Sequence, residues 1–377
     1  MTVSVLDPCE LAPAHIRSIA PYQPGKPITE LARELKRDPA SIVKLASNEN
    51  PLGMSPRVRE AIQAALPELH RYPDNFDLLH SIAQRLNMPI DCIVPGNGSN
   101  DLLEMAASVF LGPGRSAVFS QHAFAVYPLA TQARGARSIV VQADGYAHDL
   151  DAMQRAIAGD TSVVFIANPN NPTGTMLSAD ALQAFLRKAP SHVIVVLDEA
   201  YNEYLPTAVN YDSRHWLAAH PNLIITRTFS KAYGLAGLRV GYALCDERVA
   251  GLLNRVRQPF NVNNLALVAA RVALDDQEFV RTSHALNRKG MAQLEKAFEA
   301  FDLRWIPSYG NFVSVEMPRV DGVSQGSVVY QKLLRAGVIV RPVGGYDMPD
   351  HLRVTVGRAE ENERFLHALA AALGKEY

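Results

Sequence analysis

The chain has 377 residues, enough for two domains or one large domain with a smaller satellite. Hydrophobic residues make up 48% and charged residues 20%, with a net charge of −1, so no global field draws the chain to nucleic acid or an acidic membrane surface. No run approaches about twenty uncharged apolar residues, which argues against a membrane-spanning helix, and Cys9, Cys92 and Cys245 lack the spacing of a disulfide framework or a zinc site.

The opening MTVSVLDPCELAPAHIR has no basic leader followed by an apolar run, so it does not read as a signal peptide. With cysteine usage that fits a reducing compartment, the expectation is a cytoplasmic protein that takes no metal. A helix is expected over 28–36, the strand-like CIV over 92–94, and a helix over 101–110 (DLLEMAASVF). Through the middle come VVFIA (163–167), VIVVL (193–197) and LIIT (223–226). These runs are continuous rather than alternating and rich in β-branched residues, as suits strands buried on both faces of a largely parallel sheet. Helical spacing over 179–188 lies between the first two, so the pattern is α/β. Cys92 and Cys245 flank strand-like runs and are expected to pack in the core.

Near Asp275 the character changes. QEFVRTSHALNRKGMAQLEKAFEAF (277–301) reads as one amphipathic helix of about seven turns. FVSVEM, GVIVR and LRVTVG then read as short strands, with helices between 324 and 336 and after 360. The expected division is a large domain over 49–274 and a smaller α+β domain built from 1–48 and 275–377.

The strand runs end in specialised loops. VVFIA runs into NPNNPTG, VIVVL into DEAY, and LIIT leads to FSKAYG. In open α/β sheets ligands sit outside the carboxyl ends of the strands. Taken singly, each loop has a bland reading: a plain turn, a helix start favouring acids, a solvated turn. Two features weigh against blandness. From Ser213 to Cys245 there is no Asp or Glu, yet Arg214, Arg227, Lys231 and Arg239 are present, which implies that the missing anion is a ligand. PGNGSND (95–101) also places Gly98, Ser99 and Asn100 at a glycine-lined helix start, where free backbone N–H groups cradle phosphate. It lacks the third glycine of a dinucleotide fingerprint.

Pyridoxal 5′-phosphate uses all four loops: its aldehyde needs a lysine amine, its pyridine nitrogen an acid, and its phosphate a set of donors. Lys231 would then lack an acidic partner because its amine is bound to a carbonyl, while the surrounding bases meet a phosphate.

NPNNPTG, DEAY and SKAYGLAGLRVGY together resemble the signatures of the fold-type I aminotransferases of classes I and II, in order and over nearly the whole chain. Within that family, YQPGKP, KLASNENPLG, HRYPD and VRPVGGYDMPDHLRVTVG are most similar to the branch acting on histidinol phosphate. The resemblance implies an α/β fold of type I, with a mostly parallel central sheet and a smaller α+β domain. It implies that Lys231 carries the cofactor, Asp198 pairs with the pyridine nitrogen, and Asn171 and Tyr201 bond its 3′-oxygen. Gly98, Ser99, Asn100, Ser230 and Arg239 would hold the phosphate, and Phe124 would stack on the ring. Tyr72 would reach the cofactor of a neighbouring subunit, which implies a homodimer with shared active sites. Tyr22, Asn171, Arg341 and Arg353 would bind substrate, with Arg353 taking the amino donor's carboxylate by a bidentate fork. The activity so implied is reversible amino transfer between histidinol phosphate and 2-oxoglutarate. An aromatic amino acid aminotransferase is the nearest alternative, and a decarboxylase or lyase on the same fold a more distant one.

Overall fold

The computed structural model describes residues 7–377. Its centre is a seven-stranded sheet: β1 Ile93–Gly96, β2 Ser116–Ser120, β3 Arg137–Val141, β4 Thr161–Ala167, β5 Ile194–Asp198, β6 Leu223–Thr228 and β7 Gly241–Cys245. The spatial order is β1-β7-β6-β5-β4-β2-β3. All pairings are parallel except those of β7, which runs antiparallel to both β1 and β6. Strands β1 and β6 therefore point the same way, and the carboxyl ends of β1, β4, β5 and β6 share one edge.

The continuous apolar runs follow from burial on both faces. On β4, Val164 and Ile166 face a core with Leu197, Ile225 and Leu244, while Val163, Phe165 and Ala167 face Leu102, Leu103 and Ala106 of the helix α1, Ser99–Phe110. Each such valine, leucine, isoleucine or phenylalanine contributes about 1.5–3 kcal/mol relative to exposure. The edge strand β3 is mostly exposed, and its apolar run is no longer than IVV, so its sequence says little about its place. Cys245 is fully buried as expected; Cys92, in a short turn before β1, is only half-buried.

The second sheet is antiparallel and four-stranded: Arg341–Pro342, His351–Thr355, Phe312–Glu316 and Trp305–Ile306, in that order. The long helix is observed at Gln277–Ala300. With Ala359–Leu373 it covers this sheet, packing Leu294, Phe298, Phe365 and Leu369 against Val313 and Val354. The expected single strand GVIVR is in fact two. Val338–Ile339 pairs in parallel with Val43–Lys44, whereas Arg341–Pro342 joins the second sheet. Helix Ile28–Leu35 buries Leu31 and Ala32 against Ile339 and Leu334, so the early chain packs with the late chain. Among the described residues no helix is long and apolar enough to cross a membrane.

Candidate active site

A cavity of about 230 Å³ opens where the carboxyl ends of β4, β5 and β6 face the second sheet. Twelve of the fourteen residues expected at the site line it: Tyr22, Ser99, Asn100, Phe124, Asn171, Asp198, Tyr201, Ser230, Lys231, Arg239, Arg341 and Arg353.

One end is built for an anion. Gly98, at φ +81, turns the chain from β1 into α1, leaving the first N–H groups of that helix without intrahelical partners. Arg239, itself left-handed at φ 58, donates to the Ser230 hydroxyl at 3.3 Å and the Ala236 carbonyl at 3.1 Å. A Cβ on Gly98 would lie 2.5 Å from the Arg239 guanidinium, so only glycine lets the arginine reach the helix start. The positive end of α1, a hydroxyl and a guanidinium without a carboxylate converge there.

The middle holds a carboxylate without a cation. The two oxygens of Asp198 accept from the Tyr127 and Thr226 hydroxyls, each at 3.0 Å. No lysine, arginine or histidine among the described residues forms an ion pair with it. Burial pushes its carboxyl up to about 6, against the lowering effect of those two hydrogen bonds. Tyr127 is locked by stacking on Phe165 at 4.8 Å, and its ring meets Phe124 edge-on at 6.0 Å. The Tyr201 hydroxyl accepts from Asn48 Nδ2 at 2.9 Å, and burial raises its phenol to about 12, so it stays protonated.

Lys231 lies between these groups. Its hydrogen bond goes to the Ser47 carbonyl at 3.3 Å, with no acid in contact. Burial, then the cationic Arg353 and Arg239, lower its amine to about 8 against the pull of Glu49 and Asp198. A substantial neutral fraction near neutral pH makes this amine a nucleophile and a base.

The other end carries two arginines. Arg353 and Arg341 are direct cross-strand partners, an arrangement that is repulsive unless an anion lies between the charges. Arg353 donates to Asn171 Oδ1 and to the Ala46 carbonyl, each at 2.6 Å, and lies over the Phe312 ring. Its Nε is buried and without a partner. Arg341 donates to the Gln23 carbonyl at 2.7 Å and lies over the Tyr22 ring.

Two expected residues stand apart from the cavity wall. Gly98 acts through the backbone, behind Arg239. Tyr72 is 80% exposed, outside the cavity, and stacks on Phe260 at 4.6 Å. The expectation that the surrounding bases meet a phosphate needs correction. Arg227 is buried in an ion pair with Glu199 at 2.8 Å, and Arg214 pairs with Asp212. Both acids lie outside the acid-free segment. Only Lys231 and Arg239 remain for a ligand.

Sequence reasoning missed Tyr127, Asn48, Thr226 and Tyr346. Each reaches the site through a long-range contact, as Tyr127 reaches Asp198 across 71 residues.

The donor set fits pyridoxal phosphate on three counts: an amine without an acid, a buried carboxylate without a base, and a helix-start anion cradle. The family model described as aminotransferase class I and II matches residues 40–369. Histidinol-phosphate aminotransferase 2 of Nitrosospira multiformis is 58% identical over 367 residues, covering 97% of this chain and 92% of its own. Histidinol-phosphate aminotransferase 1 of Dechloromonas aromatica is 58% identical over 360 residues, covering 96% and 98%. Among solved structures, histidinol-phosphate aminotransferase from Sinorhizobium meliloti in complex with pyridoxal-5′-phosphate superposes with a TM-score of 0.87 at 26% identity, covering 96% and 97% of the two chains.

Proposed function

Since this chain belongs to the aminotransferase class I and II family, we infer that it moves an amino group between L-histidinol phosphate and 2-oxoglutarate, with pyridoxal phosphate as cofactor. The observation that carries this reading is the unneutralised pair Arg341 and Arg353 in the same cavity as Lys231. One substrate presents a phosphate and the other two carboxylates, and fixed guanidinium groups accept either anion.

Bound in the cavity, the cofactor supplies an aldehyde that takes up the amino group and a ring that draws electron density from the bond being broken. The protein holds and times this chemistry. Ser99, Asn100, Ser230 and Arg239 would bind the phosphate, and the Asp198 carboxylate would hold a protonated ring nitrogen. Phe124 would cover a ring face, while Asn171 and Tyr201 would donate to the ring oxygen. The Lys231 Nζ, once neutral, would take the proton from the substrate carbon and deliver it two bonds away, on the far side of the transferred nitrogen. Arg353 fixes the anionic group of the incoming amine so that this carbon lies within reach of Nζ.

Steady-state kinetics tests the reading. Histidinol phosphate should exceed phenylalanine and tyrosine in kcat/KM by about 10² or more, because a single carboxylate satisfies the Arg341 and Arg353 pair less fully than a doubly charged phosphate. Equal or better turnover of the aromatic amino acids would move the chain to that alternative. Arg353→Ala should raise the KM of glutamate about 10²-fold, the loss expected for a desolvated, charge-assisted contact.

The chain is also proposed to work as a cytoplasmic homodimer divided into units 49–274 and 1–48 with 275–377; residues 1–6 lie outside the described residues. The pairing of Val43–Lys44 with Val338–Ile339 supports the second unit. The exposed pair Tyr72 and Phe260, with Leu69 and Phe76 also exposed, supports a partner surface that lets Tyr72 reach the other subunit's cavity. Sedimentation should give one species of twice 41.3 kDa, and a monomer that is fully active would refute shared sites.

A further inference from the structure

The loop between β2 and the helix Val126–Ala133 carries Phe124, but its neighbour His122 does something the reaction does not require. His122 sits at φ 56, the left-handed region that a non-glycine residue adopts at a cost. In that conformation its Nδ1 lies 2.5 Å from the Tyr346 carbonyl, 224 residues away, in the turn between the strands of Arg341 and Arg353. A carbonyl only accepts, so Nδ1 carries the proton. The His122 carbonyl in turn accepts from Asn170 Nδ2 at 3.1 Å, which ties the loop to NPNNPTG. The Ala125 backbone N–H faces the Tyr346 phenol. Tyr346 is thus held at its backbone by one loop of the large sheet, although it belongs to the second sheet's side of the cavity.

Tyr346 lines the cavity beside Tyr22, Arg341 and Arg353. We propose that Tyr346 is the specificity-determining side chain of the substrate end, and that His122 is a positioning residue which latches it there. A flat, half-buried ring next to paired guanidinium groups fits a substrate that joins a planar aromatic ring to an anion, and offers nothing to the aliphatic chain of glutamate. The latch matters because a ring on a glycine-flanked turn (Gly344, Gly345) would otherwise lose its orientation. This rests on the reading of histidinol phosphate as substrate.

The test uses Tyr346→Ala, His122→Gly and His122→Asn in the cofactor-loaded enzyme. Glycine keeps the left-handed backbone but removes the donor; asparagine tolerates that backbone and places an amide N–H where Nδ1 stood. Tyr346→Ala and His122→Gly should each raise the KM of histidinol phosphate roughly tenfold while leaving that of glutamate within about twofold. His122→Asn should restore the ratio. On a Lys231→Ala background, where no turnover intervenes, calorimetry should show the same roughly tenfold weakening of histidinol phosphate binding. Equal losses for both substrates, no loss in either, or failure of asparagine to rescue would overturn the proposal. If the unmutated enzyme does not turn over histidinol phosphate, it is instead the functional reading that fails.

Discussion

Lys231→Ala is expected to abolish amino transfer and the visible absorbance of the cofactor-loaded protein. Loss of the general base alone removes about 10²–10⁴ in rate, and loss of the amine that anchors the aldehyde comes on top. The substitution should have an opposite effect on the empty protein. The folded amine titrates at about 8, below its ordinary 10.5. Between those values the unfolded chain holds a proton that the folded chain has shed, so stability rises with pH across the window. Below pH 8 the cost of a buried ammonium is present in full. Lys231→Ala should therefore raise the melting temperature of the cofactor-free chain below pH 8, with the gain shrinking as pH climbs. A variant that keeps turnover, or that is destabilised throughout, would remove Lys231 from this role.

Asp198→Asn is expected to lower kcat by about 10²–10³, the range for removing one preorganised charge partner from a dry site. Asparagine fills the same space, and the Thr226 hydroxyl can rotate to suit its amide, so the fold should survive. Burial raises the carboxyl to about 6 from an ordinary 3.8. Across that interval the folded chain holds a proton the unfolded chain lacks, so stability falls as pH rises, and the penalty is complete above pH 6. The cofactor-free variant should gain stability above pH 6 and change little in acid. Unchanged kcat would show that Asp198 does not serve the reaction. The two variants share a logic: each removes a charge that burial penalises and that nothing in the empty chain neutralises.

How much of this was legible in the sequence varied with the range of the interaction. Runs such as VVFIA announce β4 because burial on both faces leaves no polar position to break the pattern. The strand β3, half of it in solvent, leaves only the short run IVV. GVIVR looked like one strand because its composition is uniform, yet its two halves pair with different partners across the fold. The candidate site was readable where it rests on loop motifs following strands. It was not readable where the partner lies far along the chain: Asn48 meets Tyr201 across 153 residues, and His122 meets Tyr346 across 224. Arg227 shows the same limit from the other side. The absence of acids around it in sequence suggested a ligand, but the pairing of Asp198 with Thr226 on adjacent strands brings Glu199 alongside it.

The most direct measurement loads the protein with pyridoxal phosphate, reduces it with borohydride, and maps the peptides by mass. The cofactor's mass should appear on the peptide containing Lys231 and on no other lysine, in protein that also turns over histidinol phosphate. An unmodified Lys231 peptide, or label spread over surface lysines such as Lys188, would contradict the account.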